Sequence, residues 1–241
     1  MPSESVPSFE VWSETLVTFG YADPRQTRPP TTEESARREQ VVYDLDAPTL
    51  TDYLTRLFEN PAWIADRVDD EQIGVLTQFV FGCETCFMHE VQSPAVPQEA
   101  QARCFRSVAT LYTDLLDRVC GRRGADPDLD PRNAGHGVDG VVYMMWDMDG
   151  GVGSPINDAT RKPHLVEPSI HVLNTALNHC RTSACRLSAL HGLGHAVSLN
   201  RSTNLAFVLR LQAVIGVFLE RSTGPEWLRA YANNARDGCV L

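Results

Sequence analysis

The chain has 241 residues, of which 43% are apolar and 22% are charged, a composition typical of a globular protein with one large domain or two small ones. Its formal net charge of −10 argues against a nucleic-acid partner, because affinity for phosphate comes from clustered cations. No apolar run reaches the ~18 residues that a membrane-spanning helix needs, so we expect no membrane partner. The amino terminus carries no export signal, and we expect a cytoplasmic protein whose seven cysteines are reduced.

Helical periodicity extends over most of the chain. In the first half, three apolar stripes recur at the i, i+3, i+4 spacing of an amphipathic helix. The stripes contain Leu50, Tyr53, Leu54, Leu57 and Phe58; Ile73, Leu76, Phe79 and Val80; and a longer set between Phe105 and Val119. The segment 138–148 is apolar nearly all round, which predicts a buried central helix or, alternatively, a buried strand.

The last third of the chain divides into four predicted helices, at 168–180, 184–200, 204–221 and from about 225 to a stop before Gly238. Two helix pairs of about 33 residues each have the size of helical-repeat units. We therefore predict an all-α fold of antiparallel helix pairs, stacked in a HEAT-like or α-solenoid-like arrangement. Residues 1–30 are predicted to form an N-terminal helix and an extended connector. Residues 31–241 are predicted to form a single helical domain, with a possible subdivision near 149–163.

The segment Cys185-Arg-Leu-Ser-Ala-Leu-His191-Gly-Leu-Gly-His195 carries the main candidate chemistry. Its two histidines are four residues apart, which places both imidazoles on one helix face. Ser188 and Gly192 share that face, and their small side chains allow a neighbouring helix to approach closely. The opposite face is apolar and contains Ala189, Leu190, Leu193, Ala196 and Val197. We therefore expect a helix between two layers, with His191 and His195 at least partly buried.

Two interpretations of this histidine pair stay open. Imidazoles at positions i and i+4 can share one metal ion, with Asp147 or Asp149 as a carboxylate ligand. Alternatively, each imidazole forms a hydrogen bond within a tight helix interface. The zincin motif needs Glu immediately after the first histidine, and Gly192 stands there, so a zinc peptidase of that type is excluded.

A candidate binding pocket combines Tyr143, Trp146 and Asp147 with the histidine pair. Trp146 would form its apolar wall, and Asp147 would be the polar group that orients a ligand. A core helix whose acidic end meets solvent is the alternative interpretation.

Cys83, Cys86 and His89 form a second candidate. Two thiolates and an imidazole could hold zinc if Cys180 or Cys185 supplied a fourth ligand. We favour ordinary buried or half-buried cysteines, because the pair follows an apolar run at what the pattern indicates is a helix end.

The segment Cys185–His195, together with Tyr143-Met-Met-Trp-Asp-Met148 about forty residues earlier, resembles a group of uncharacterised bacterial proteins that are described as all-helical and HEAT-like. The resemblance rests on these two short motifs, within about 110 C-terminal residues. It implies a fold and a bacterial origin, and it implies no reaction.

From these patterns we expect a non-catalytic helical binding or scaffold protein without a cofactor. Its partner would be a protein, for which the acidic surface suits a basic surface, or a small molecule. The alternative is a metal-dependent, hydrolase-like enzyme, with a divalent metal such as zinc held by His191 and His195 and with Asp147 as third ligand or base. A weaker alternative is a small-molecule sensor at Trp146 and Asp147.

Overall fold

The computed structural model describes residues 6–19, 31–83, 85–120, 130, 132, 137–148, 151–221 and 224–240. Within these residues every regular element is helical and none is a strand, so the predicted all-α class is confirmed. The helices are α1 (Phe9–Val17), α2 (Thr32–Tyr43), α3 (Ala47–Glu59), α4 (Ile64–Arg67), α5 (Asp70–Phe81), α6 (Phe87–Val91), α7 (Gln98–Thr110), α8 (Asp117–Val119), α9 (Val138–Met144), α10 (Ser154–Asn157), α11 (Pro163–His179), α12 (Ser183–Asn200), α13 (Leu205–Arg221) and α14 (Glu226–Arg236), with a π-helical turn at Leu111–Leu116.

The first two apolar stripes form α3 and α5. At the start of α3, the Asp46 carboxylate accepts a hydrogen bond of 2.8 Å from the amide of Thr49, and Pro48 lies in the first turn, where its missing amide proton costs nothing. Asp69 and Gln72 cap α5 reciprocally. The third stripe is interrupted: α7 ends at Thr110, and a π-helical turn follows before α8.

The segment 138–148 is helical only in its first part. Helix α9 ends at Met144, and the chain continues in turns through Asp147, whose amide donates to the Met144 carbonyl at 2.8 Å. The strand alternative is therefore wrong. The turn carries Trp146 and Asp147 away from the axis of α9, which is what allows them to face another helix.

Helix α11 begins at Pro163 and not at 168, so Pro168 lies inside it. Proline at the first position needs no amide partner, whereas Pro168 removes a single backbone hydrogen bond from the helix. The remaining C-terminal helices begin within one or two residues of their predicted starts.

Helix α12 is the centre of the C-terminal half. It packs against α9, α10, α11, α13 and α14, and Leu190, Leu193 and Val197 are completely buried, as the sequence predicts. Consecutive pairs α11–α12 and α13–α14 pack together. The HEAT-like repeat arrangement stays a prediction.

The N-terminal helix packs onto the same core. Helix α1 contacts α2, α3 and α5, and the buried Trp12 directs its indole N–H at the Val42 carbonyl, 3.4 Å away. The predicted connector at 24–30 lies outside the described residues. One continuous apolar cluster runs from Trp12 to Val240.

Among the described helices, none combines the length and the apolar composition that would let it span a bilayer.

Candidate metal centre

His191 and His195 lie one turn apart on α12, with their ring centroids 4.5 Å apart and their rings nearly perpendicular. His191 is 1% exposed, while the side chain of His195 is 28% exposed. The helix thus places one imidazole inside the core and the other at its edge.

The two glycines of the motif let α12 contact its neighbours closely on two sides. A Cβ atom on Gly192 would lie 2.8 Å from Cγ of Trp146, and one on Gly194 would lie 2.5 Å from a methyl carbon of Val240. Both distances are shorter than real Cβ contacts, so only glycine fits the present packing. Gly192 is therefore what allows Trp146, and with it the next residue, to lie against the histidine face.

Asp147 faces both imidazoles from the turn after α9. Its Oδ2 atom lies 3.7 Å from Nε2 of His191 and 3.8 Å from Nε2 of His195. These distances are too long for hydrogen bonds. Both Nε2 atoms are buried, and within the described part of the chain neither has a hydrogen-bond partner. Two buried, unpartnered ring nitrogens thus share one carboxylate oxygen as their nearest anion.

The other ring nitrogen of His191 is held by a hydrogen bond. Its Nδ1 lies 2.7 Å from the hydroxyl of Tyr231 on α14. Burial lowers the pKa of His191 to about 4, with a further lowering from His195, so its imidazole is neutral at pH 7. Burial also raises the pKa of Tyr231, which keeps that phenol protonated.

Metal binding through Nε2 needs one particular tautomer of His191. A phenol hydroxyl can donate or accept, so the Tyr231 hydroxyl is able to accept the N–H of His191 Nδ1. In that Nδ1–H tautomer the Nε2 lone pair points towards Asp147. Imidazoles that bind metals have their second nitrogen fixed in this way.

A second network orients Trp146. Its indole N–H donates to the hydroxyl of Tyr112 at 2.9 Å, and that hydroxyl lies 2.8 Å from Oγ of Ser188. Tyr112 belongs to the π-helical turn that interrupts the third apolar stripe, so this turn contacts the site. The position of Asp147 is thus supported by residues of the π-helical turn and of α12.

Solvent can reach this group of residues on one side. The side chain of Asp147 is 42% exposed, and it lines a pocket of about 280 Å³. The same pocket is lined by Trp146, Met148, Ser154, Asp158, Arg161 and His89. A small molecule in the pocket would therefore contact the carboxylate that faces the histidines.

The five residues of the predicted pocket lie close together, but only Trp146 and Asp147 of them line the cavity beside the site. Tyr143 packs its ring on His191 at a centroid distance of 4.6 Å, and Trp146 packs on Gly192. Asp149, the alternative carboxylate, lies outside the described residues. His171 and His179 of the preceding helix are exposed and do not join the pair.

The cysteine pair at 83 and 86 does not form the predicted kind of site. Both thiols are exposed, so the expectation of buried or half-buried cysteines is wrong. Cys86 lies in a left-handed conformation before the short helix α6, and this turn carries the pair out of the core. Among the described residues, Cys180 and Cys185 group with Asp117 and not with this pair.

Sequence reasoning missed Tyr231, which orients His191, and Tyr112, which orients Trp146. Tyr231 follows His191 by 40 residues and Tyr112 precedes Trp146 by 34, so no local spacing links either pair. The sequence offered one signal for Tyr112, namely that it places a polar hydroxyl within an otherwise apolar stripe.

The distances suit a metal ion. Zinc bonds of about 2.0–2.1 Å to nitrogen and oxygen in a tetrahedron place two ligand atoms about 3.4 Å apart. Donor atoms of Asp147, His191 and His195 all lie within 4.8 Å of one another, and the two measured carboxylate–imidazole distances exceed the ideal by a few tenths of an ångström. Small side-chain rotations would bring the three donors to bonding distance of one ion.

No family model, no curated protein and no solved structure matches the chain. The resemblance to the bacterial helical proteins stays a prediction.

Proposed function

We propose that this protein is a metal-dependent, hydrolase-like enzyme in which His191, His195 and Asp147 bind one divalent ion of the zinc class. The observation that carries the proposal is the pair of buried, unpartnered Nε2 atoms, both of which face the same carboxylate oxygen at 3.7 and 3.8 Å. Unpaired buried polar atoms are costly, and a shared cation would satisfy both of them together.

Three protein ligands would leave a coordination position free, as in catalytic zinc sites. When bound, such an ion lowers the pKa of a coordinated water molecule and polarises a substrate carbonyl or phosphoryl oxygen. The chain's own residues contribute the rest: Tyr231 can accept the N–H of His191 Nδ1, which leaves Nε2 as the ligand atom, and Trp146 forms a wall of the adjacent pocket. At about 280 Å³, that pocket suits a small substrate.

Metal content tests the proposal directly. Protein purified without an affinity tag, in buffers free of chelators, is analysed by plasma mass spectrometry. We expect about one zinc-class ion bound at this site per chain, with a strong loss in Asp147→Asn and in His195→Ala. The matched control is His171→Ala, since His171 is an exposed histidine on the neighbouring helix.

A second measurement does not depend on purification history. Metal-free protein is heated with and without Zn²⁺, and at a concentration 100 times the Kd we expect about 2.7 kcal/mol of stabilisation. The increase should persist in His171→Ala and become clearly smaller in His195→Ala. A metal content and a Zn²⁺ shift that are the same in the wild type, Asp147→Asn and His195→Ala would overturn the proposal.

The helical binding module is a second candidate, and one observation favours it. Leu205 and Leu209 lie one turn apart on α13 and are 65% and 58% exposed. Adjacent exposed leucines are typical of a contact surface. A double Leu205→Ser/Leu209→Ser variant that lost a partner recovered by the wild type, with its metal content unchanged, would favour this function. Both proposals include the cytoplasmic location that we expect from the sequence.

A further inference from the structure

Three buried cysteines meet a buried aspartate at a second place in the core. Cys180 directly follows α11 and Cys185 lies in the first turn of α12, while Asp117 begins α8 and Cys120 follows it. All four are between 0% and 6% exposed. We name these four residues the thiol cluster. It lies on two separate segments of the chain, 117–120 and 180–185, so only the fold brings it together.

Three donor atoms of the thiol cluster are close enough to share one ion. Those of Asp117, Cys180 and Cys185 all lie within 4.8 Å of one another. Cys120 neighbours Cys185 but does not belong to this set of three donors. Zinc–sulfur bonds of about 2.3 Å would place two sulfurs about 3.8 Å apart in a tetrahedron.

The surroundings of the thiol cluster can offset part of the negative charge that metal binding would create. Asp117 accepts hydrogen bonds from the amides of Arg181 and Thr182, at 2.8 and 2.7 Å, and one from the Arg181 guanidinium at 3.2 Å. These donors precede α12, whose N-terminus carries a partial positive charge. The Asp117 carboxylate has about four lone pairs and uses three, so one is left for an ion.

We propose that Cys180 and Cys185, with Asp117, form a second metal site that binds a thiophilic divalent ion of the zinc class and has a structural role. These three residues are at most 6% exposed, so the protein would enclose the ion, unlike one bound beside the part-exposed Asp147. Each thiol that binds releases one proton to solvent, and nothing is oxidised or reduced. The ion would tie the α11–α12 turn to the end of α8 and so fix the start of the helix that carries His191 and His195.

Cobalt distinguishes the two proposed sites, because thiolate ligands give Co²⁺ intense charge-transfer absorption in the near ultraviolet and imidazole or carboxylate ligands do not. Metal-free, reduced full-length protein is titrated with Co²⁺ without oxygen. We expect the charge-transfer band in the wild type and in a His191→Ala/His195→Ala variant. The band should also persist in Cys83→Ser/Cys86→Ser, which removes the exposed pair.

Loss of the band in Cys180→Ala and in Cys185→Ala assigns it to the thiol cluster. Cys104→Ala is the matched control, because Cys104 is also fully buried but lies on α7, outside the cluster. Where a cluster variant does not fold, proton release on Zn²⁺ binding by a variant that combines His191→Ala/His195→Ala with Cys83→Ser/Cys86→Ser decides. That variant lacks the first site and the exposed cysteine pair. Proton release by it supports thiol coordination in the cluster, and the absence of proton release counts against it.

Two results would overturn the thiol site. One is a folded wild type without the charge-transfer band at saturating Co²⁺, in which case the cysteines act as small apolar core residues. The other is a band lost in Cys83→Ser/Cys86→Ser but kept in Cys180→Ala. Neither result affects the histidine site, whose own test is metal loss in Asp147→Asn.

Discussion

His191 joins three features on one side chain: almost complete burial, a hydrogen-bonded Nδ1 atom, and an Nε2 atom without a hydrogen-bond partner in the described chain. Tyr231 supplies the second feature, and the neutral state follows from the first, since burial lowers the pKa of His191. A neutral imidazole can bind a metal at a pH where an ordinary histidine would be partly protonated. The residue is therefore suited to ligation over a wide pH range.

The same pKa shift predicts a pH dependence of stability in the metal-free protein. The unfolded state takes up a proton below pH 6.5, while folded His191 does so only near pH 4. Stability is therefore full above pH 6.5 and falls as the pH drops from 6.5 towards 4, by up to about 3 kcal/mol. Urea unfolding at pH 7 and pH 4.5 measures the difference.

The control for this prediction removes the titrating group. His191→Gln should unfold with a much smaller dependence on pH over that window, whereas the exposed His171→Gln should behave like the wild type. If the stability of His191→Gln depended on pH as strongly as that of the wild type, the result would contradict the lowered pKa of His191.

At the scale of elements, the site depends on how closely the turn after α9 approaches α12. Trp146 packs on Gly192 and is oriented by Tyr112, and the next residue along the chain is Asp147. The π-helical turn, α9 and α12 therefore act together in placing one carboxylate. A change in the gap between the turn and α12 should move Asp147 as well as Trp146.

Gly192→Ala tests that contact. The added methyl group would lie 2.8 Å from Cγ of Trp146, and overpacking should outweigh the gain in helix propensity and destabilise the protein by about 1–2 kcal/mol. Metal binding at the histidine pair should weaken with it. The matched control is Gly216→Ala on α13, where no atom lies within 4 Å and a gain of up to about 1 kcal/mol is expected. Thermal unfolding and Zn²⁺ titration of both variants measure these effects, and equal Zn²⁺ affinity in the two would contradict the role of the contact.

At the scale of the whole molecule, one apolar cluster connects α1 to the residues behind α12. Trp12 in α1 is fully buried, and Val240 near the other end is 7% exposed. A continuous core predicts that the chain unfolds in one cooperative transition.

Trp12→Ala should therefore lower the stability of the whole chain, by about 3–5 kcal/mol. The urea midpoint followed by the fluorescence of the remaining tryptophans, among them Trp146 and Trp227, should shift together with the midpoint from far-ultraviolet circular dichroism. Val11→Ala, at a residue 52% exposed in the same helix, is the control and should have little effect. A fluorescence midpoint that stayed at the wild-type value would indicate an N-terminal unit that unfolds separately.

The sequence by itself determines the helical class, the burial of α12 and the candidate pair on it, because apolar periodicity and i, i+4 spacing act within one helix. The same local rules predict that small residues beside His191 let another element approach closely. They do not predict that this element is the turn that carries Trp146. They placed the start of α11 at 168, because a proline inside a helix has the same local pattern as one at its start.

Only the tertiary structure decides that Asp147 meets both imidazoles, that Tyr231 orients one of them, and that the thiols of Cys180 and Cys185 gather at Asp117. These contacts join residues that lie on different helices and are far apart in the chain, and their formation depends on how whole elements pack. Such packing is the sum of many weak contacts, so no spacing of residues along the sequence encodes it.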